Sequence, residues 1–247
     1  MSKVNPTREM TLLEHLGELR NRFLVSAAAI VIAAVVCYAF YDRLFEIFFR
    51  PYGMLKNSFG NTLFINSIFE GFVVKVKLSL FAGIILSFPV HLFNIVQFVF
   101  PGLLKRERRI VAFSLLASMI LVVASFYYGY YYMVPISVRF LTGAGFVPEK
   151  VGILLNYGKN IFYIFQLLML VMIVMQLPVL VEVLMILNIV KRRSLLKASR
   201  YILFAIFIIA AIFTPPDFIS QLCVAIPLIA LFFLTLLIAR ICHFGEG

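Results

Sequence analysis

Two glutamates that stand among cations are the residues in this chain best suited to binding a charged partner. Glu18 lies in the segment Thr11 to Phe23, where leucines recur at helical spacing on one face and glutamates project from the other. Glu107 is the single anion in the run KRERR at 105–109. Because anions are scarce among these basic residues, the two carboxylates are natural receptors for an incoming cation.

Each of these acidic residues also has a purely structural explanation. Thr11 and Glu14 have the spacing of a capping box, which would account for Glu14 at a helix N-terminus. Glu18 stands four residues before Arg22, the spacing of an intrahelical ion pair that stabilises a helix by ~0.2–0.5 kcal/mol. Glu107 would, on the structural explanation, be one solvated side chain in a cluster of charged residues. Spacing alone leaves both interpretations open.

A second polar pair, Gln176 and Glu182, lies within a long apolar stretch. Carboxylates inside a membrane mark functional sites by default, although pairing with a nearby cation or snorkelling would also explain one. Six helical residues separate the pair by about 9 Å along the axis and turn them to different faces. Pro178 lies between them and predicts a kink or tilt, because proline breaks the ladder of helical hydrogen bonds.

Catalytic and metal-binding patterns are missing from the sequence, so we expect neither an enzyme nor a cofactor. No Ser-His-Asp set or phosphate loop is present, and the three cysteines and three histidines are scattered without ligand spacing. The net charge of +11 is explained by membrane topology and attraction to anionic headgroups, which argues against nucleic-acid binding.

The elements that must position these residues are membrane-spanning helices. Apolar residues make up 63% of the chain, mostly in runs near the ~20 residues that a helix needs to cross ~30 Å of hydrocarbon. We predict an all-α integral membrane protein, a single domain over 1–247, with six transmembrane helices forming a concave bundle. The spans are expected near 23–41, 71–100, 110–135, 160–190, 201–213 and 218–239, after an amphipathic cytoplasmic segment, 1–22, that lies along the membrane surface.

Three further expectations concern the ends of these spans. The fifth span would cover only about 20 Å, so the last two spans are expected to be short or kinked, with a thinned bilayer beside them. Apolar residues over 44–49 predict a short helix at the outer interface. Asp217 follows two prolines and is well placed to cap the last span.

The distribution of positive charge predicts the orientation. With six crossings, the two termini and the connections near 101–109 and 191–200 share one side, and they carry 14 of the 22 lysines and arginines. Cytoplasmic connections are enriched in these residues, so both termini are predicted to be cytoplasmic.

Several short motifs resemble those of the twin-arginine translocase subunit TatC family. The first is HLGELRNR at 15–22, which matches the H-L-x-E-L-R-x-R opening of that family. Others follow in the family's order: Arg50-Pro51, Glu70-Gly71-Phe72, Phe98 to Leu103 with Glu107-Arg108-Arg109, and Thr214-Pro215-Pro216-Asp217 with Ser220-Gln221. The resemblance covers nearly the whole chain.

The resemblance implies a receptor, in the bacterial cytoplasmic (inner) membrane, that binds the Arg-Arg signal peptides of folded precursor proteins and organises translocation driven by the proton motive force. It implies partners as well: TatA- and TatB-type single-span subunits, membrane lipid and further copies of the chain in a homo-oligomer. The signal-binding set is expected to be Glu18, Glu107, Leu16, Arg20, Phe98 and Leu103. Gln176 and Glu182 are expected to make polar or partner contacts within the membrane, and a structural role is expected for Pro51, Glu70, Pro89, Pro178, Pro215, Pro216 and Asp217.

One departure from the family and one alternative function remain. The family usually has a glutamate at the position of Gln176, and a glutamine there cannot change its charge. The alternative is a secondary transporter of a small solute, with a midplane site lined by Asn94, Gln97, Gln176 and Glu182. Repeated halves and paired broken helices, which many transporters contain, are not evident in the sequence.

Overall fold

Six helical spans dominate the architecture of this chain. The computed structural model describes residues 12–53, 63–99, 105–143, 155–214 and 217–242, nearly all of them helical. Within these ranges, six stretches are long and apolar enough to cross a membrane: Leu16–Ala39, Glu70–Ile95, Ile110–Leu141, Tyr157–Ile186, Arg192–Ile212 and Phe218–Ile241. The prediction of a six-span, all-α membrane protein is confirmed. A helix satisfies its own backbone hydrogen bonds, which hydrocarbon cannot do.

The first span is a single helix with no break at the membrane surface. Helix α1 runs from Leu12 to Ala39 without interruption, so the described part of the expected surface segment, from residue 12 on, continues directly into the first span. Its 28 residues give a length of about 42 Å, which exceeds ~30 Å of hydrocarbon and leaves its charged first turns outside the apolar layer. A short helix after this span is confirmed as α2, Tyr41–Gly53, and its place at the outer interface stays a prediction.

Helix α3, Glu70–Val99, packs closely along α1. The closest approach is at Gly83, where an added Cβ would lie 2.7 Å from the backbone nitrogen of Ala34. Towards one end of the pair Asn94 donates a hydrogen bond to Ser26 (2.9 Å), and towards the other the Lys75 ammonium lies over the rings of Tyr38 and Tyr41. These two helices therefore form a rigid antiparallel pair.

The third span is longer than predicted and contains a wide helical turn. It consists of α4 (Lys105–Tyr128), a π-helical turn (Gly129–Met133) and α5 (Val134–Leu141). Pro135 has no N–H to donate within the helix, and the widened turn before it lets Val134 bond to the carbonyl of Gly129. The helix therefore continues past the predicted end at 135.

The fourth span forms the core and is broken in its middle, as the sequence predicted. Helix α6 runs from Tyr157 to Val174 and α7 from Leu177 to Ile186, with a turn at Met175 and Gln176. The turn comes two residues before Pro178, which lacks the N–H that a continuous helix would need. Many of the fully buried side chains belong to α6: Ile164, Phe165, Leu167, Leu168, Val171 and Met172.

The predicted short fifth span is wrong in length. Helix α8 extends from Arg192 to Phe213, 22 residues in place of the 13 predicted, and α9 runs from Phe218 to Ile241. The prediction ended at the cations because charges are costly in lipid, whereas the backbone ladder continues through them into the interface. At about 33 Å, α8 is long enough to cross, so a thinned bilayer is not required by its length.

We predict that Gly83→Ala separates α1 from α3. The new methyl group meets backbone atoms, which cannot rotate away, so we expect a loss of about 1–3 kcal/mol and a lower unfolding temperature of the purified protein in detergent. Gly71→Ala is the matched control on the same helix, since a Cβ there meets nothing within 4 Å. Equal stability of the two variants would contradict the close approach.

Candidate functional site

Glu18 forms the ion pair that its spacing predicted. The Arg22 guanidinium donates to Oε1 of Glu18 from Nε (2.9 Å) and from a terminal nitrogen (2.5 Å), and each side chain is 22% exposed. The other oxygen, Oε2, is buried and has no donor among the described residues. Glu18 is therefore ionically paired and oriented, yet one of its two oxygens remains able to accept hydrogen bonds.

Helix α3 supplies the second half of this site. The second terminal nitrogen of Arg22 donates to Oε1 of Gln97 at 2.5 Å, so the cation links α1 to the end of α3. Asn94, one turn earlier on α3, donates to Ser26 at 2.9 Å. Gln97 was absent from the predicted signal-binding set, because a contact between positions 75 residues apart in sequence leaves no local pattern.

Of the other predicted signal-binding residues, those that the structure describes lie at the same end of the bundle, the basic end, defined as the end where α1, α4 and α8 begin. Leu16 and Arg20 are exposed on α1, and Phe98 follows Gln97 on α3 and is partly exposed. The backbone of Glu107 lies in the first turn of α4 at this end, while its side chain and Leu103 fall outside the described part of the chain. The structure thus joins Glu18 to Arg22 and Gln97.

Gln176 and Glu182, the polar pair within the membrane, pack against α4. The sequence did not indicate this contact. Ser118 donates a hydrogen bond to Oε1 of Gln176, and Ser114, one turn earlier on α4, lies near the Glu182 carboxyl and donates to the carbonyl of Ile110 (3.3 Å). The expectation that Gln176 and Glu182 occupy different faces is wrong. It assumed a continuous helix, whereas the turn at 175–176 changes the rotation between them. The Nε2 of Gln176 is buried without an acceptor among the described residues.

Glu70 joins three segments at the far end of the bundle, opposite the basic end. Its two oxygens accept from the backbone N–H of Gly158 (2.9 Å) and of Asn66 (2.6 Å). A short parallel bridge pairs Phe64 with Asn156 beside it. Glu70 therefore fastens the segment before α3 to the first turn of α6, consistent with the structural role expected for it.

The hydroxyl groups of Tyr41 and Tyr157 meet at the same end of the bundle. Burial, with the neighbouring Tyr157 as a second cause, raises the pKa of the Tyr41 phenol well above its usual range. Tyr41 therefore stays protonated and keeps a donor for this contact. The pair ties α2 to α6.

The remaining structural residues occupy helix ends and helix interiors. Asp217 is only 5% exposed and its Oδ1 accepts from the N–H of Ser220 (2.7 Å), so the predicted cap of α9 is confirmed. Pro178 is buried at the start of α7, and Pro89 is exposed within an α3 that continues past it. Pro51 belongs to the last turn of α2. Pro215 and Pro216 lie outside the described residues.

The cysteines and histidines of the described ranges do not assemble into a metal site. Cys37, Cys223 and Cys242 are free thiols, and no group of three His, Cys, Asp or Glu side chains in these ranges could hold a metal ion. The ring of His91 hydrogen-bonds to Ser87 one turn earlier on α3. Cys37 is buried within the bundle, whereas Cys242 is exposed.

We predict that Ser118→Ala lowers stability and that adding Gln176→Leu restores most of it. The single change leaves the buried Gln176 amide without this partner, at a cost of about 1 kcal/mol, whereas replacing both groups by apolar ones removes the unmet hydrogen bonds. Thermal unfolding in detergent measures the difference. Ser125→Ala is the control, because that hydroxyl bonds only its own helix at Val122. A double variant that unfolds at a lower temperature than Ser118→Ala would count against this contact.

Comparison with known proteins identifies the family. The family model described as "Sec-independent protein translocase protein (TatC)" matches residues 14–227. The TatC protein of Carboxydothermus hydrogenoformans is 36% identical over 234 residues, covering 94% of each chain. That of Helicobacter pylori is 34% identical over 231 residues, covering 93% of this chain and 87% of the relative.

A solved structure agrees with this sequence relationship. The crystal structure titled "Twin Arginine Translocase Receptor- TatC in DDM" superposes with a TM-score of 0.79 at 28% identity, covering 91% of this chain and 99% of the other. The six-span fold, the motif around Glu18 and the relatives agree, and the chain belongs to the TatC family of Sec-independent protein translocase components.

Proposed function

We propose that this chain is the receptor subunit of its translocase and that it binds the paired arginines of signal peptides at Glu18 and Glu107. The observation that carries the proposal is the half-satisfied carboxylate of Glu18 at the basic end, with one oxygen held by Arg22 and the other without a donor in the described part of the chain. A translocase component is a transport protein rather than an enzyme, in agreement with the missing catalytic motifs.

The chemistry of Glu18 suits an arginine side chain. An ionised carboxylate accepts about four hydrogen bonds, and Arg22 uses only one of its oxygens. A guanidinium offers five N–H groups in a planar fork, which makes strong, often bidentate bonds to carboxylates. Lysine presents a compact ammonium without that fork. Preference for Arg-Arg over Lys-Lys signals follows from this difference, with Glu107 as the second acceptor.

Neighbouring cations limit how a signal peptide can approach. Arg20 and Arg22 repel a cationic segment, so the two glutamates must offset that repulsion locally. Gln97 helps, because it accepts a hydrogen bond from Arg22 and holds that cation towards α3. The apolar part of a signal finds exposed Leu16, Leu19 and Phe23 on the same helix.

The basic end is proposed to face the cytoplasm of a bacterial cell, with the protein in the cytoplasmic (inner) membrane. Most of the lysines and arginines belong to that end, and cytoplasmic segments are enriched in them. Signal peptides made in the cytoplasm would then approach the protein from the end that carries Glu18. The proton motive force is proposed to drive the later translocation step.

Single-span subunits of the TatA and TatB type are the proposed partners, in an assembly that includes further copies of this chain. Helix α8 is mostly unburied, and one of its faces carries an exposed apolar stripe: Tyr201, Phe204, Ile208 and Ile212. A stripe at this spacing matches the face of another helix. Gln176 and Glu182 are the polar groups proposed to bind partner or signal within the membrane.

Solute transport is not favoured by any contact in the structure. Asn94 and Gln97, which would have lined a midplane site, are bonded to Ser26 and Arg22 between α1 and α3. Gln176 is bonded to Ser118. These three side chains join helices through their hydrogen bonds.

We predict that Glu18→Gln and Glu107→Gln each weaken binding of an Arg-Arg signal peptide by about 10-fold or more, because each loses charge-assisted hydrogen bonds. Titration of a fluorescent peptide against the purified protein measures the Kd. Glu46→Gln is the control, since it neutralises an exposed carboxylate on α2 at the far end.

Arg22→Gln separates direct binding from a structural effect of the lost ion pair. It breaks the same pair but keeps the Glu18 carboxylate, so binding should weaken less than in Glu18→Gln. An unchanged Kd in Glu18→Gln, or equal affinity for Arg-Arg and Lys-Lys peptides, would refute the proposed site.

We also predict that a photoreactive residue at Phe204 crosslinks to a TatA- or TatB-type subunit in membranes that contain all three proteins. Phe204 is exposed in the middle of the α8 stripe. The matched control is Ile32, which is similarly exposed on α1. Crosslinking of the single-span subunits from Ile32 but not from Phe204 would place the partner on another helix.

A further inference from the structure

An apolar groove between α3 and α6 is not used by the proposed signal site. Its cavity volume is only about 20 Å³, so it is a shallow depression in the surface near the far end of the bundle. Leu78 and Phe81 line it from α3, and Phe162 and Phe165 from α6, where Phe81 stacks on Phe165. Gly158, at the start of α6, forms its outer lip. An apolar chain can lie along these walls without entering the bundle.

One cation stands at the mouth of this groove. Lys77 lines the groove and is exposed, and its ammonium lies 5.4 Å from the centroid of the Phe162 ring. Lys159 is also exposed and precedes Phe162 by three residues on α6, which brings it to the same side of that helix. Lys75, by contrast, turns towards Tyr38 and Tyr41.

The depth of Lys77 favours an anion that comes from the membrane itself. Lys77 is seven residues into α3, about 10 Å along the helix from Glu70 and within a membrane span. A cation at that depth must snorkel to the interface or meet a negative group there. The Glu70 carboxylate near the lip already accepts the N–H groups of Gly158 and Asn66. Phospholipid phosphates lie at the same interface.

We propose that the groove binds one anionic phospholipid of the far leaflet, with its phosphate at Lys77 and Lys159 and one acyl chain along Leu78, Phe81 and Phe162. A cavity of about 20 Å³ is far below the roughly 300–1,000 Å³ of a small-molecule pocket and encloses no solute, whereas an acyl chain can lie along its apolar walls on the surface of the bundle. A cation at the mouth and apolar side chains along the walls match the two parts of an anionic phospholipid, its phosphate and its hydrocarbon chains. The bound lipid holds α3 against α6, beside the contact that Glu70 makes with Gly158.

Native mass spectrometry of the delipidated protein in detergent tests this site. The protein is titrated with phosphatidylglycerol and with phosphatidylcholine of the same acyl chains. We expect the anionic lipid to be retained preferentially and Lys77→Gln to reduce its affinity about fivefold, the effect of one cation near a lipid surface. Lys75→Gln is the matched control, two residues away on the same helix but turned to the aromatic rings of Tyr38 and Tyr41.

A photoreactive acyl chain on the same phosphatidylglycerol locates the bound lipid. We expect the label on the α3 and α6 peptides that contain Phe81 and Phe162. Equal affinity for the two lipids, an equal effect of Lys77→Gln and Lys75→Gln, or labelling confined to other helices would overturn the proposal. Unfolding temperatures of both variants confirm that each is folded, and signal-peptide binding is measured separately because it does not depend on this groove.

Discussion

Hydrocarbon offers no water to a polar group, and this constraint governs the whole structure. The backbone meets it by being helical in every span. Polar side chains meet it through partners on other helices, as Asn94 does with Ser26 and Ser118 does with Gln176. Apolar packing tolerates many arrangements, whereas each of these bonds requires two particular positions. The polar contacts therefore select which helices are neighbours.

At the basic end this constraint is weaker, because polar groups there lie outside the hydrocarbon. A carboxylate at that end can therefore bind a partner. Helix α1 is longer than the hydrocarbon layer is thick, and the Glu18 and Arg22 side chains near its start are each 22% exposed. Arg22 orients the carboxylate through Oε1, while Oε2 is buried without a donor in the described ranges. The tight contact of Gly83 with α1 matters to this site because it sets where Gln97 meets Arg22.

The break between α6 and α7 matters more for its rotation than for its bend. It turns the side chains of Gln176 and Glu182 towards α4, where they lie next to Ser118 and Ser114. Members of the family usually carry a glutamate where this chain has Gln176, and here the carboxylate is six residues further along the chain. Both positions face one neighbouring helix, so this part of the bundle keeps two polar side chains, and of the described residues in that contact Glu182 is the one that can ionise.

Features that depend on nearby residues could be predicted from the sequence. They include the number of spans, the helix after the first span, the ion pair of Glu18 with Arg22 and the cap at Asp217. Hydropathy, i,i+4 spacing and turn chemistry decide them within a few residues. The role of Gln97, the shared face of Gln176 and Glu182, and the groove beside Lys77 were decided only by the tertiary structure. Each depends on contacts between segments far apart in the chain, whose distance and rotation no local pattern records.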